Sequence, residues 1–224
     1  MNLKKYKTIV FDCDGVILDS NKIKTDAFRL ATKNFGKEFS ERLVNYHIKN
    51  GGVSRYKKFD YFIEKILDFD MDSNNKINKD ILKKNLLENY SSFVVQELMT
   101  CKVAPKLKEL KDSIPLSDWV VISGSDQNEL RKVFENRNIS HFFNLGIYGS
   151  PKDKYENINY LYSKIKTPAL FIGDSKLDHL VASHFSMDFV FLSDWSEFSD
   201  LKSYAKKYKI PVKRNLSYLL EYLI

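Results

Sequence analysis

Cysteine is nearly absent from this chain of 224 residues: only Cys13 and Cys101 occur, and they form no CxxC pair. That excludes a disulfide framework and favours a reducing, cytoplasmic setting. The histidines are equally sparse. His47, His141, His179 and His184 show no metal-ligand spacing, so packing or surface roles are expected for each. No apolar run approaches the ~20 residues that a membrane span needs, and residues 1–7 lead into a strand without an apolar signal segment. Internal repeats and low-complexity stretches are missing. Positive charge is in modest excess, 36 Lys+Arg against 29 Asp+Glu, for a net +7. It is scattered, and its densest run, Lys202 to Arg214, is interleaved with Tyr204, Tyr208 and Ile210. A solvated basic surface is expected there rather than a nucleic-acid site, with a mild field that gathers anionic substrates.

What is present is a core-forming chain. Hydrophobic residues make up 43% and aromatics 14%, enough for one large domain or a core with a smaller inserted unit. Thr8-Ile9-Val10-Phe11 is a short apolar run bounded by polar residues, the pattern of a strand buried on both faces of a parallel sheet. Asp12 and Asp14 stand at its carboxyl end, where open α/β sheets bind ligands, and Gly15 frees the backbone to turn. Alternation places Cys13 opposite these carboxylates, in the core.

From there to about residue 100 the spacing is helical. Apolar stripes run through Ile23, Ala27, Leu30 and Ala31, through Tyr56, Phe59, Phe62, Ile63, Ile66 and Leu67, and through Ile81, Leu86, Tyr90, Val94 and Leu98. Asp68, Asp70 and Asp72 alternate as in a calcium loop, but Ser73 and Lys79 occupy the positions that need Gly and Glu, so Asp68 to Asp80 reads as a polar turn. Beyond Pro105, strands alternate with helices. Trp119–Ile122 ends at Ser123-Gly124-Ser125, Leu145–Tyr148 at Gly149-Ser150-Pro151, Ala169–Ile172 at Gly173-Asp174, and Phe189–Leu192 at Ser193-Asp194. Ser125, Asp126 and Gln127 are expected to cap the helix that follows. This alternation predicts an α/β fold with a parallel, Rossmann-like sheet and helices on both faces.

The strand ends then converge on one edge. They gather Asp12, Asp14, Ser123, a lysine at 152 or 154, and Asp174. Clustered carboxylates repel, so holding them ionised requires a cation, and hard oxygen ligands select Mg²⁺. Mg²⁺, a lysine and a hydroxyl form a phosphate-binding set, and a spare carboxylate can attack phosphorus.

Phe11-Asp12-Cys13-Asp14-Gly15-Val16-Ile17-Leu18-Asp19-Ser20, Val121-Ile122-Ser123-Gly124, Gly149-Ser150-Pro151-Lys152-Asp153-Lys154 and Phe171-Ile172-Gly173-Asp174-Ser175-Lys176-Leu177-Asp178 resemble, in order, the four motifs of the haloacid dehalogenase superfamily. The resemblance implies that Asp12 is a nucleophile forming an aspartyl-phosphate and Asp14 a general acid/base that also offers its backbone carbonyl to Mg²⁺. It implies that Ser123 and the Gly124 amide hold the phosphoryl group and that Asp174 binds the metal. Asp178 would ligate directly or through a hydrogen bond. Lys154, which opens the next helix, is the preferred lysine, with Lys152 the alternative. The helical block falls where one cap class of this superfamily is inserted, giving a core of residues 1–18 and 101–224 and a cap of residues 19–100. Gly51-Gly52-Val53-Ser54-Arg55-Tyr56-Lys57-Lys58-Phe59 is similar to the cap loop of the phosphoglycolate-phosphatase and β-phosphoglucomutase branch, where Arg55 could clamp a substrate anion with Lys58 as helper.

The expected protein is a monomeric Mg²⁺-dependent phosphomonoesterase acting on a small phosphorylated metabolite such as a sugar or polyol phosphate, with no nucleic-acid or membrane partner. A sugar phosphomutase is the enzymatic rival, and a non-catalytic binding module on the same fold is the alternative of another class. Dehalogenase, ion-pump and phosphonatase branches lack an acid at the position of Asp14.

Overall fold

The computed structural model describes residues 2–68 and 73–223. Six strands form one sheet: β1 (Thr8–Phe11), β2 (Asp118–Asp126), β3 (Ile147–Ser150), β4 (Ala169–Gly173), β5 (Asp188–Leu192) and β6 (Val212–Lys213). Their spatial order is β3-β2-β1-β4-β5-β6, and all described pairings are parallel. β1 is central and buried at every position, as a doubly covered strand requires. β2 and β4 flank it, which brings the ends of all three side by side. The two-residue β6 has no counterpart in the sequence reading, since Val212-Lys213 is too short to show a period. β2 runs on to Asp126, past the apolar stretch, with an irregularity in its pairing to β3 between Ile122 and Asp126.

Between β1 and β2 the described elements are helices: α1 (Asn21–Ala31), α2 (Lys37–Lys49), α3 (Arg55–Tyr61, continued as a π-helical turn to Ile66) and α4 (Ser73–Leu98). α4 therefore begins inside the segment expected to be a turn; Asp70 and Asp72 lie outside the described residues. The α4 stripe holds, with Leu86, Tyr90, Val94 and Leu98 buried, while Ile81 is exposed. The α1 stripe is rotated. Lys24, Ala27, Phe28 and Ala31 face inward, and Leu30 is 45% exposed. A lysine on the buried face is the reason: its polarity hides the true face from a hydrophobic pattern.

The chain leaves and re-enters the sheet layer at one place. Leu18 bridges Val103 in antiparallel fashion, Asp19 N–H donates to the Lys102 carbonyl at 2.9 Å, and Ala104 N–H donates to the Ile17 carbonyl at 2.8 Å. After β2 come α6 (Gln127–Asn136), α7 (Lys154–Leu161), α8 (Lys176–His184) and α9 (Leu201–Tyr208), with α5 (Leu107–Ser113) before it. Two apolar layers result. One, around Phe11, Trp119, Phe134 and Phe143, continues into the helical block, and the other, around Val10, Ile122, Phe171 and Phe191, covers the opposite face. Cys13 packs in the first, on the side its alternation predicts.

Trp119 is fully buried against Phe11, at 4.7 Å between ring centroids, and its Nε1 finds no hydrogen-bond partner among the described residues. Trp119→Ala should therefore cost about 3–5 kcal/mol, read as a lowered urea midpoint. Trp119→Phe should cost distinctly less, because the donor it removes is already unpaired. Equal losses would mean the indole N–H, not ring volume, matters.

Candidate active site

Lys154 is the first residue of α7, whose N-terminus is closed by a reciprocal cap between Asp153 and Glu156. That cap fixes where the helix starts, and the Lys154 side chain is buried. Its Nζ lies 2.9 Å from Asp12 Oδ1 and 2.5 Å from Asp178 Oδ1, with all three side chains buried. Lys152 instead is exposed, its ammonium 4.5 Å from the centre of the Tyr160 ring. The other Asp178 oxygen receives Ser175 N–H at 3.1 Å, Ser175 Oγ–H at 2.7 Å and Asp174 N–H at 3.3 Å. Asp174 follows β4 directly. Its Oδ2 accepts from Asn21 Nδ2 at 2.6 Å, and Asn21 also donates to the Trp195 carbonyl at 2.8 Å. Gly15 passes this carboxylate at φ +75°, where a Cβ would sit 2.2 Å from Asp174 Oδ2, so both conformation and space demand glycine.

Asp12, Asp174 and Asp178 can each present an oxygen within 4.8 Å of the others. Among the described residues, only Lys154 balances them in direct contact. Burial, with Asp178 and Asp14 nearby, pushes the Asp12 carboxyl up to about 7 despite Lys154. Burial, then Asp12 and Asp178, raises Asp174 well above the carboxylate range. Lys154 is held above its ordinary value because the two aspartates outweigh its burial. The cluster is thus short of positive charge. Hard oxygen donors, close spacing and this deficit fit a small divalent cation.

Asp14 belongs to a different network. Its carboxylate accepts from Lys24 Nζ and Ser20 Oγ, each at 2.5 Å, and from Ser125 Oγ at 2.7 Å; Lys24 also reaches Ser125. Burial opposes its ionisation, but Lys24 prevails and lowers the pKa. Asp126 alone caps α6 through its side chain, accepting from Glu129 N–H, so Ser125 serves Asp14 rather than the helix expected from the sequence. Ser123 is fully buried and its Oγ accepts from Ser125 N–H at 3.1 Å, while Gly124 and Ser125 form the wall of the cavity. A Cβ on Gly124 would meet the Gly52 carbonyl at 2.1 Å, which shows how tightly the loop before α3 seats on the strand ends.

A cavity of about 280 Å³ lies between these strand ends and the helical block, and Asp12, Asp14 and Asp174 open onto it. Arg55 and Lys58 line it too, in unequal states. Arg55 pairs with Glu129 of α6 through two nitrogens at 2.8 Å, with Asp126 at 3.8 Å, so it joins the helical block to the core. Lys58 is 2% exposed, its Nζ 2.7 Å from His47 Nδ1. His179 bonds Tyr204 at 2.8 Å and packs away from the cavity. Sequence reasoning missed Asn21, Lys24, His47 and Glu197 on the cavity wall. Asn21 and Lys24 could have been found as polar residues one helical turn apart just after the first motif.

A family model described as haloacid dehalogenase-like hydrolase matches residues 6–182. Among solved structures, a Lactobacillus plantarum protein assigned as a phosphoglycolate phosphatase superposes with TM-score 0.71 at 18% identity, over 99% of this chain and 100% of its own. A hydrolase from Pseudomonas syringae gives 0.70 at 16% identity, over 97% of each chain. The hydrolase YfnB of Bacillus subtilis, solved with magnesium, gives 0.64 at 17% identity, over 98% of this chain and 99% of its own. At such identities the likeness speaks for the fold. No curated protein sequence matches the chain.

The raised Asp12 pKa has a thermodynamic consequence. The folded protein binds that proton more tightly than the unfolded chain, so the contribution is present at low pH and lost as pH rises from about 4 through about 7. Asp12→Asn removes it. In EDTA, the thermal midpoint of Asp12→Asn relative to the unsubstituted protein should climb between about pH 5 and about pH 8. A difference that stays flat would contradict the charge deficit at this cluster.

Proposed function

The chain belongs to the haloacid dehalogenase-like hydrolases, and from that premise we propose that it is a Mg²⁺-dependent phosphomonoesterase acting on a small phosphorylated metabolite. The observation that carries the reading is the buried lysine bridge from Asp12 to Asp178, beside Asp174 and opening onto the cavity that Asp14 also lines. In this reading residues 1–18 and 101–224 form the catalytic core, and residues 19–100 a cap that closes over it.

Asp12, Asp174 and the Asp14 carbonyl would hold the metal, with Asp178 fixing Asp174 and Lys154 through its hydrogen bonds. When bound, Mg²⁺ supplies charge that draws the phosphoryl group and the carboxylates into one site. Asp12 Oδ attacks phosphorus in line, the alkoxide leaves, and an aspartyl-phosphate forms. Ser123 and the Gly124 amide hold the phosphoryl oxygens, and Lys154 offsets their charge. Asp14, entering the cycle protonated, gives that proton to the leaving oxygen. It then takes one from the water that attacks phosphorus, which breaks the bond to Asp12 and releases inorganic phosphate. Its contacts serve the second half of that alternation, since Lys24 and Ser125 stabilise the ionised carboxylate that takes a proton. For the first half the Lys24 contact must loosen, and the place of Asp14 on the cavity lets a substrate oxygen reach it. Gly52 seated on Gly124, together with the Arg55–Glu129 pair, keeps bulk water from the intermediate.

The purified protein should release phosphate from an aryl phosphate with Mg²⁺ and lose that activity in EDTA or on Asp12→Asn. Absence of metal-dependent turnover on any phosphate ester would sink the reading. Asp14→Asn should lower kcat by about 10²–10⁴-fold while Mg²⁺ affinity, measured by calorimetry, stays nearly unchanged. A parallel loss of Mg²⁺ affinity would place its side chain, not its carbonyl, on the metal.

A further inference from the structure

The cavity wall contributed by α1, α2 and α3 carries the exposed Lys49 and three buried cations, and two of the buried ones are spoken for. Lys24 sits on Asp14, and Arg55 on Glu129 and Asp126. Lys58 is the exception. Its ammonium reaches His47 Nδ1 and lies 5.6 Å from the Phe28 ring centre, and it touches no carboxylate among the described residues. Asp14 and Glu197 act on it only at longer range, and Glu197 is engaged by Thr25 Oγ1 at 2.7 Å. Burial and then Lys24 push the Lys58 pKa down to about 7, and burial, with Lys58 and Lys24 beside it, holds His47 well below its usual value.

A buried ammonium with no counter-ion is unfavourable, and a methionine or leucine would fill the same volume without that cost. The geometry is suited to receiving an anion. Neutral His47 accepts one Lys58 N–H at Nδ1, which fixes the ammonium and leaves its other donors for a ligand. Phe28, packed on Tyr90, supplies apolar wall beside it, where a charge-assisted hydrogen bond is stronger than in water. We propose that Lys58, positioned by His47, is the receptor for a second anionic group on the substrate, so that the favoured esters carry a carboxylate or a second phosphate on the leaving group. Arg55, which the sequence nominated for this task, is a strut between helical block and core.

This inference rests on the phosphomonoesterase reading for the site but is tested apart from turnover. Binding is measured by calorimetry on Asp12→Asn protein with Mg²⁺, using two matched pairs. One pair is 3-phosphoglycerate and glycerol 3-phosphate, which differ by carboxylate against hydroxymethyl. The other is fructose 1,6-bisphosphate and fructose 6-phosphate, which differ by the second phosphate. In at least one pair the anion-bearing member should bind about tenfold or more tightly, and the pair that responds identifies the anion. Lys58→Met, added to Asp12→Asn, should bring that ratio close to one. Equal affinities within both pairs, no measurable binding of either anion-bearing member, or a preference that survives Lys58→Met overturns the proposal. Should Lys58→Met fail to fold, the ratios with Lys58 intact still decide. Failure of the unsubstituted protein to turn over any ester would count against the phosphatase reading and leave these ratios meaningful.

Discussion

Lys154 sets one buried ammonium between Asp12 and Asp178, and much of the site's arrangement follows from that contact. Asp12 and Asp174 at the ends of adjacent strands and Asp178 in the first turn of α8 repel one another in a poorly solvated edge. A single lysine partly relieves this, and the helix that delivers it must begin at a defined place. The Asp153–Glu156 cap supplies that start. On the other side, Ser175 caps α8 and at the same time loads Asp178 with donors, so the carboxylate that anchors Lys154 is itself fixed by a helix terminus. Two caps therefore determine where the central charges sit. The remaining deficit, visible in the raised Asp12 and Asp174 pKa values, is a demand for further positive charge.

Charge is also what ties the helical block to the sheet. Lys24 reaches from α1 to Asp14, Asn21 to Asp174, Thr25 to Glu197, and Arg55 from α3 to Glu129. Each contact joins a residue at or near the cavity to a helix that contributes its far wall. A motion of the block would therefore be felt directly by Asp14 and Asp174, because their hydrogen-bond partners ride on α1. Gly124 and Gly52 make the opposite kind of contact, a backbone approach with no room for a side chain.

The sheet and the central aspartates were legible because they obey short-range rules. Apolar runs of four or five residues mark β1, β4 and β5, and parallel topology then dictates that their ends meet. Lys154 was legible as the residue opening a helix, and the structure sets it, rather than Lys152, against Asp12. The far wall was not. Lys24 and His47 occupy helix faces that a hydrophobic period excludes, and Leu30, which the period favours, is exposed. Arg55 and Lys58 looked alike as cations on one loop, and their difference comes from Asp126 and above all Glu129, which lies 74 residues further along the chain from Arg55.

By itself the sequence determined the parallel α/β core, the helical segment between its first two strands, and the order in which acid, hydroxyl, lysine and acid reach one edge. Strand periodicity and strand-end chemistry are local, so they can be read without knowing what lies opposite. Only the tertiary structure decided which cations are already neutralised and which remain for a ligand. An ion pair is a property of two distant segments brought within about 4 Å, and no spacing along the chain encodes it.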